Sequence, residues 1–205
     1  MARLSSTDSG GGDVTCNWSP QARQQLCRLA AQSICIAARE HQPMQVDFDS
    51  IEPELQRPGA SFVTLRNHEN LRGCIGSLEP RQALVLDVVN NACSACCHDP
   101  RFAAVAAAEL ASLSAEISVL SALVPLPAST QEQLADLIRP GVDGLVIDDG
   151  IHRATFLPAV WSQLPEKSQF IAQLKRKAGL DNNYWSPAIH CFRYAVDEFH
   201  IALLQ

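Results

Sequence analysis

Apolar residues recur along the first half of the chain with two different periods, and the change of period outlines the elements. Leu26, Leu29, Ala30, Ile34 and Ala37 fall at spacings of three and four, the stripe of a helix laid on a core. Ser19-Pro20 supplies a start for it, because Ser caps free N–H groups and Pro is tolerated at the first helical position. A helix is therefore predicted from there to about His41, with Pro43 closing it. The stretch 44–59 mixes Pro, Gly and acids and reads as an irregular connection. Residues 61–65 and 71–75 then flank the polar Asn67-His68-Glu69-Asn70, a hairpin pattern. A second helix is predicted over about 82–97, with Leu84, Val88, Ala92 and Ala95 on one face. It stops at Asp99-Pro100, since the residue before a proline disfavours helical geometry.

The second half repeats the mixture. Glu116-Ile117-Ser118-Val119-Leu120 is a predicted strand, and Val124-Pro125-Leu126-Pro127 reads as an extended linker. A short helix over 129–138 begins with Ser129-Thr130-Gln131-Glu132, the capping-box pattern. Residues 144–147 and 151–156 surround Asp149-Gly150, a pair favoured in two-residue hairpin turns. A helix over 168–178 ends in Lys175-Arg176-Lys177, with Gly179 as its cap, and 188–203 reads as one or two strands returning to a sheet. Two hairpins imply antiparallel pairing, so the expected class is α+β, not a doubly wound parallel sheet.

Composition narrows the functional classes. A chain of 205 residues, 47% of them hydrophobic, buries a sizeable core as one large domain or two small lobes. A net charge of −6 offers no basic field for phosphate backbones, so nucleic acid is not expected as a partner. Residues 1–13 lack the apolar core of a secretory signal, and no run reaches the roughly 18 apolar residues of a membrane span. A cytoplasmic protein without membrane contact is expected, with its eight cysteines as thiols used for packing, metal or catalysis.

The segment Leu71-Arg72-Gly73-Cys74-Ile75-Gly76 carries the most chemistry. In a regular strand Arg72 and Cys74 share a face, with Leu71 and Ile75 on the buried side; two residues of rise separate Arg72 from Cys74 by about 6.6 Å. A guanidinium at that range favours thiolate over thiol, the activation a nucleophilic or redox cysteine requires. Gly73 and Gly76 leave the backbone uncovered for a ligand. The alternative is a small buried Cys74 beside a solvated Arg72.

This hexapeptide resembles the signature of the AMMECR-type domain family, whose microbial members are called AmmeMemoRadiSam system protein A. Phe62-Val63-Thr64-Leu65, Ser77-Leu78-Glu79-Pro80, Asp99-Pro100-Arg101-Phe102 and Glu116-Ile117-Ser118-Val119-Leu120-Ser121 resemble family segments in the family order. So do Gly141-Val142-Asp143-Gly144-Leu145, Thr155-Phe156-Leu157-Pro158, Val160-Trp161 and Lys175-Arg176-Lys177-Ala178-Gly179-Leu180, so that the resemblance spans about 19–200. It implies a two-lobed fold with the hexapeptide facing a cleft that takes a small-molecule ligand, and radical-SAM-like and Memo-like proteins as pathway partners. Together with the element pattern it suggests a flexible tail over 1–15, a larger lobe over 16–125 completed by 188–205, and a smaller lobe over 126–187. It does not fix an activity.

Other candidates are weighed beside the hexapeptide. Asp99 and Arg101 either clamp a loop by pairing with each other or line the cleft for substrate. Glu116 faces solvent or enters the cleft as a general acid or base, and the family segment contains the same Glu. His98 serves Cys74 as a base only if the helix end packs beside the hairpin. Thr155 and Arg153 share a face of the second hairpin and offer contacts from the smaller lobe, while the 175–177 run reads as a solvated helix end from which Lys175 reaches an anion. Cys93, Cys96, Cys97 and His98 form a lone half-site, short of the four ligands of structural zinc, so no metal or cofactor is expected. Two functions remain open: an enzyme using Cys74, with Arg72, Gly73, Gly76, Asp99, Arg101 and Thr155 as substrate contacts, or a non-catalytic binding adaptor.

Overall fold

The computed structural model describes residues 18–201 and 203, so the tail predicted over 1–15 lies outside the described residues. Helix α1 (Pro20–Glu40) starts where predicted: the Ser19 side chain accepts from the Ala22 N–H at 3.2 Å. It ends at His41, whose left-handed φ of 55° lets its N–H close on the Ala37 carbonyl. Its stripe, including Leu26, Ala30, Ile34 and Ala37, is fully buried or nearly so. Between 44 and 57 the chain forms two short 3-10 turns, Phe48–Ser50 and Pro53–Gln56.

Strands β1 (Pro58–Asn67) and β2 (Asn70–Gly76) form the expected hairpin, followed by a two-residue β3 (Gln82–Ala83) and helix α2 (Leu84–Cys97). β4 (Leu113–Leu120) pairs with β1 on its other side, and β9 (Val196–Ile201) pairs with β4, giving an antiparallel order β2-β1-β4-β9. Alternation sends Val63, Leu65, Ile117 and Phe199 to a core shared with α1 and α2. Fully buried Leu65 and Ile117 each contribute roughly 1.5–3 kcal/mol by leaving water. The opposite parity, Phe62, Thr64, Glu116, Ser118 and Glu198, faces away from those helices.

The second sheet has the order β5 (Val124–Leu126), β8 (His190–Tyr194), β6 (Gly144–Asp148), β7 (Arg153–Phe156), again antiparallel. Helices α3 (Gln131–Leu137) and α4 (Lys167–Lys177) cover one side through Leu134, Phe170, Ile171 and Leu174. The other side packs on the first sheet: Val146 and Tyr194 meet Ala60 and Leu120, with Phe62, Leu157 and Phe192 around them. The protein is therefore α+β, with two antiparallel sheets flanked by helices.

Several local expectations are corrected. Residues 124–126 are a paired strand, not a free linker, and the 188–203 stretch splits into β8 and β9, one in each sheet. The 149–152 connection has four residues, since Asp148 faces Arg153. The Asp149 carboxylate fills it by accepting the Ile151 and His152 N–H groups. Thr130, not Ser129, caps α3, and Gln133 accepts from the Ser129 N–H at 2.7 Å, one residue before the cap, so the Ser129–Glu132 box does not form. Leu71, assigned to a buried side, is 36% exposed.

Candidate functional site

The hexapeptide strand is pressed onto α2 and tied at several points. A Cβ on Gly73 would lie 2.2 Å from the Ala95 carbonyl oxygen, so only glycine lets β2 pass this close to the helix. One residue on, the Cys74 N–H donates to Asp99 Oδ2 at 2.8 Å, and the Cys74 carbonyl accepts from Arg101 Nη2 at 3.3 Å. Asp99 is itself gripped by Arg101, through Nε at 2.9 Å and Nη2 at 2.7 Å. Its carboxylate is only 2% exposed. The Arg101 bonds, with those from the backbone of Cys74 and Arg101, hold its pKa far below the usual carboxylate range. Beyond Gly76, the Ser77 hydroxyl donates to Asp87 Oδ1 at 2.7 Å. Buried Asp87, on the first turn of α2, also accepts from Ser61 and Asn91.

Arg72 goes elsewhere. Leu65 faces Gly73 but Arg66 faces Leu71, so Arg72 is the extra residue of a bulge, which re-aims its side chain. Its guanidinium makes a bidentate pair with Glu109, at 2.8 and 3.0 Å, and donates to the carbonyls of Ala103 and Ala104. The Arg72 hydrogen bond in turn holds the Glu109 carboxyl below its ordinary range.

The Cys74 side chain opens on a cavity of about 230 Å³ between the two sheets. Phe62 lines the same side; Phe156, Leu157, Ala159, Val160, Gln163, Thr155 and Lys177 close the other. The Thr64 hydroxyl donates to the Cys74 sulfur at 3.3 Å. Cys74 acts on two cations near it, helping the Asp99 hydrogen bond to raise the pKa of Arg101 and opposing the lowering at Lys177, at the end of α4. Lys177 donates to the Thr155 carbonyl at 3.0 Å and lies 5.2 Å from the centre of the Phe156 ring. Burial of its ammonium lowers its pKa, while Cys74 acts in the opposite sense.

The profile of the AMMECR1 family matches residues 27–199. The chain belongs to this family. A protein of Methanothermobacter thermautotrophicus is 33% identical over 188 residues, covering 89% of this chain and 97% of its own. One of Thermococcus gammatolerans is 33% identical over 183 residues, covering 85% and 87%. The crystal structure of an uncharacterized protein from Pyrococcus horikoshii superposes with a TM-score of 0.79 at 28% identity, covering 88% of this chain and 91% of that one.

In this AMMECR1 chain the remaining candidates fall as follows. Thr64 pairs with Cys74 on one side and Glu116 on the other, and Glu116 pairs with His200. Glu116 thus stands two strands from Cys74, on the order of 9–10 Å away, with His200 Nδ1 3.5 Å from its carboxylate. His98 ends α2 with its side chain exposed, and its neighbour Asp99, not the imidazole, reaches Cys74. Gly76 lies against the Phe62 ring, which fills the space a ligand would need there. The Thr155 hydroxyl is committed to the Leu145 carbonyl and the Tyr194 hydroxyl. Arg153 pairs with Glu79, joining the loop after β2 to β7.

Cys93 and Cys96 are buried in the α1–α2 core, where burial pushes Cys96 up to about 12, and Cys97 packs on the Ala37 carbonyl. Among the described residues no group of three or more His, Cys, Asp or Glu side chains is arranged to hold a metal ion. Lys175, read as reaching for an anion, is 0% exposed and donates instead to Gln131 and the Asn182 carbonyl. The residues that sequence reasoning missed are Thr64, Asp87, Glu109 and Lys177. Lys177 had a weak signal, its place in a basic run; Asp87 had only its place in the first turn of a helix.

Proposed function

We propose that the protein is an enzyme that binds a small molecule in the cavity between its sheets and attacks it with the Cys74 sulfur. The observation that carries this reading is a thiol, held by the Thr64 hydroxyl, that lines one mostly apolar cavity together with the Lys177 ammonium. In the attack the Cys74 sulfur gives its proton to solvent, with the Thr64 O–H donating to it and the Lys177 ammonium lining the same cavity. The sulfur pair then forms an S–C bond to an electrophilic carbon, and the leaving group departs with the pair of the bond that breaks. In this reading Asp99 and Arg101 are positioning residues, fixing the Cys74 backbone from both sides. Arg72, Gly73 and Gly76 hold the strand in place.

The test is the rate at which each cysteine is alkylated by iodoacetamide, followed by peptide mass spectrometry across pH. Cys74 is expected to react at neutral pH at least as fast as free glutathione. A Cys74 that reacts much more slowly, in protein that stays folded, refutes the nucleophile.

A second reading, a non-catalytic ligand- or partner-binding adaptor, is favoured by one observation. Neither Glu116, two strands away, nor exposed His98 stands beside the thiol as a base, whereas a groove of about 810 Å³ shares Ala159 with the cavity. A folded Cys74→Ser protein that restores a deletion strain supports the adaptor over the enzyme. Radical-SAM-like and Memo-like pathway partners belong to either reading and rest on the family resemblance alone. Residence in the cytoplasm belongs to them too; no helix among the described residues is long and apolar enough to cross a membrane.

A further inference from the structure

The cations around the hexapeptide are not equivalent. Arg72 is paired with Glu109, Arg101 with Asp99 and Arg153 with Glu79. Lys177 alone of these four has no carboxylate partner among the described residues. Its ammonium uses one donor on the Thr155 carbonyl and leaves two for another acceptor. The walls beside it are apolar: Phe62, Phe156, Leu157 and Val160. An ammonium with no carboxylate partner among the described residues, at the solvent-exposed edge of an apolar pocket, attracts anions. The volume of about 230 Å³ has room for roughly six to eight non-hydrogen atoms, taking water's share of about 30 Å³ as the unit.

We infer that the cavity takes a short-chain carboxylate, its anionic end on the Lys177 ammonium and its apolar body against Phe62 and Phe156, with a carbon next to the Cys74 sulfur. This rests on the cavity being the working site, and it adds the substrate class. A polyanion such as phosphate is a poorer fit, because one ammonium and the Gln163 amide supply few donors and the other walls are largely apolar.

Two alkylating probes separate the inference from the nucleophile reading. Iodoacetate and iodoacetamide attack the same sulfur and differ in charge. The ratio of their rates at Cys74, divided by the same ratio for glutathione, is expected to favour iodoacetate by about tenfold. That preference is lost in Lys177→Met and Lys177→Gln, and kept in Lys177→Arg. Butyrate slows iodoacetamide at Cys74, whereas butanamide does not.

A ratio equal to that of glutathione, a preference unchanged in both Lys177 variants, or protection by inorganic phosphate equal to that by butyrate overturns the carboxylate while leaving a fast thiol intact. If Cys74 is slow with both probes, the nucleophile fails, and butyrate binding to the full chain by NMR decides the carboxylate alone. Saturable binding lost in Lys177→Met supports it; no binding overturns it.

Discussion

Asp99→Asn separates charge from shape at the point where the hexapeptide is anchored. The carboxylate accepts four hydrogen bonds: Oδ2 takes the Cys74 N–H and Arg101 Nη2, and Oδ1 takes the Arg101 N–H and Nε. An amide of the same outline keeps one oxygen. In either orientation its NH2 group confronts two donors, so two bonds are lost and the facing N–H groups are left unsatisfied. Hydrogen bonds to charged groups are worth about 1.5–3 kcal/mol each, and a stranded buried donor costs about 1–3 kcal/mol. Arg101 recovers part of this from water, because its side chain is 52% exposed. The net loss is expected near 3 kcal/mol. For a chain of this size each kcal/mol moves the midpoint by roughly 2–4 °C, so Tm should fall by about 6–12 °C.

The same pair fixes a pH signature. Asp99 has a pKa in the folded protein well below its ordinary value, so its stabilisation is fully present above the unfolded pKa of about 3.9. It is lost as pH falls towards the folded pKa. The variant has no such proton to bind, so the gap between the two proteins is widest at neutral pH and narrows below about pH 4. Urea unfolding followed by circular dichroism at pH 7, 5 and 3 measures it. A loss under about 1 kcal/mol at pH 7, or a gap that widens towards pH 3, refutes the assignment of Asp99 as an ionised anchor.

Gly73→Ala places a methyl group 2.2 Å from a helix carbonyl, and neither β2 nor α2 is free to give way. A destabilisation of about 1–3 kcal/mol or more is expected in urea unfolding. Arg72→Lys removes the bidentate geometry on Glu109 and the Ala103 and Ala104 contacts, so limited proteolysis should quicken within 103–112. Its alkylation rate at Cys74 should stay within about twofold of the parent, since the Arg72 charge is neutralised by Glu109. Cys74→Ser should keep its unfolding free energy within about 1 kcal/mol, because the sulfur faces a cavity instead of a packed core.

What the sequence made legible was local. The stripe of α1 and its Ser19-Pro20 start, the first hairpin and the helix stop before Pro100 each depend on residues within a few positions of one another. The Arg72–Cys74 neighbourhood failed because strand alternation assumes a regular ladder, and the bulge at Arg72 is set by how β2 pairs with β1. β5 was invisible as a strand because its partner lies some 65 residues downstream and its prolines suggest a linker. Lys177 carried only the weak signal of its basic run for a related reason: its place in the cavity with Cys74 needs α4 packed on β7 and the second sheet seated on the first. Lys175 and Lys177 sit in one basic run, yet one is buried in the second half of the protein and the other lines the cavity.

Two buried acids, Asp87 in the first turn of α2 and Asp99 just past its end, make the hexapeptide a frame for Cys74. Asp87 reaches the strand end through Ser77 and the neighbouring strand through Ser61, and Asp99 reaches the middle through the Cys74 N–H. Asp87 accepts from Ser61, Ser77 and Asn91, while Asp99 accepts one bond from the Cys74 N–H and three from Arg101, which in turn holds the Cys74 carbonyl. Gly73 lets the helix approach closely enough for those bonds to form. Placing a thiol to within fractions of an ångström matters for attack on a bound carbon, where small misplacements cost large factors in rate. A thiol that merely lines a hydrophobic surface does not call for such fixation, although the same bonds also stabilise the fold. The dense anchoring of the Cys74 backbone, on a strand that turns its Arg away and its sulfur towards the cavity lined by Lys177, is the physical argument for the enzyme proposed above over the adaptor.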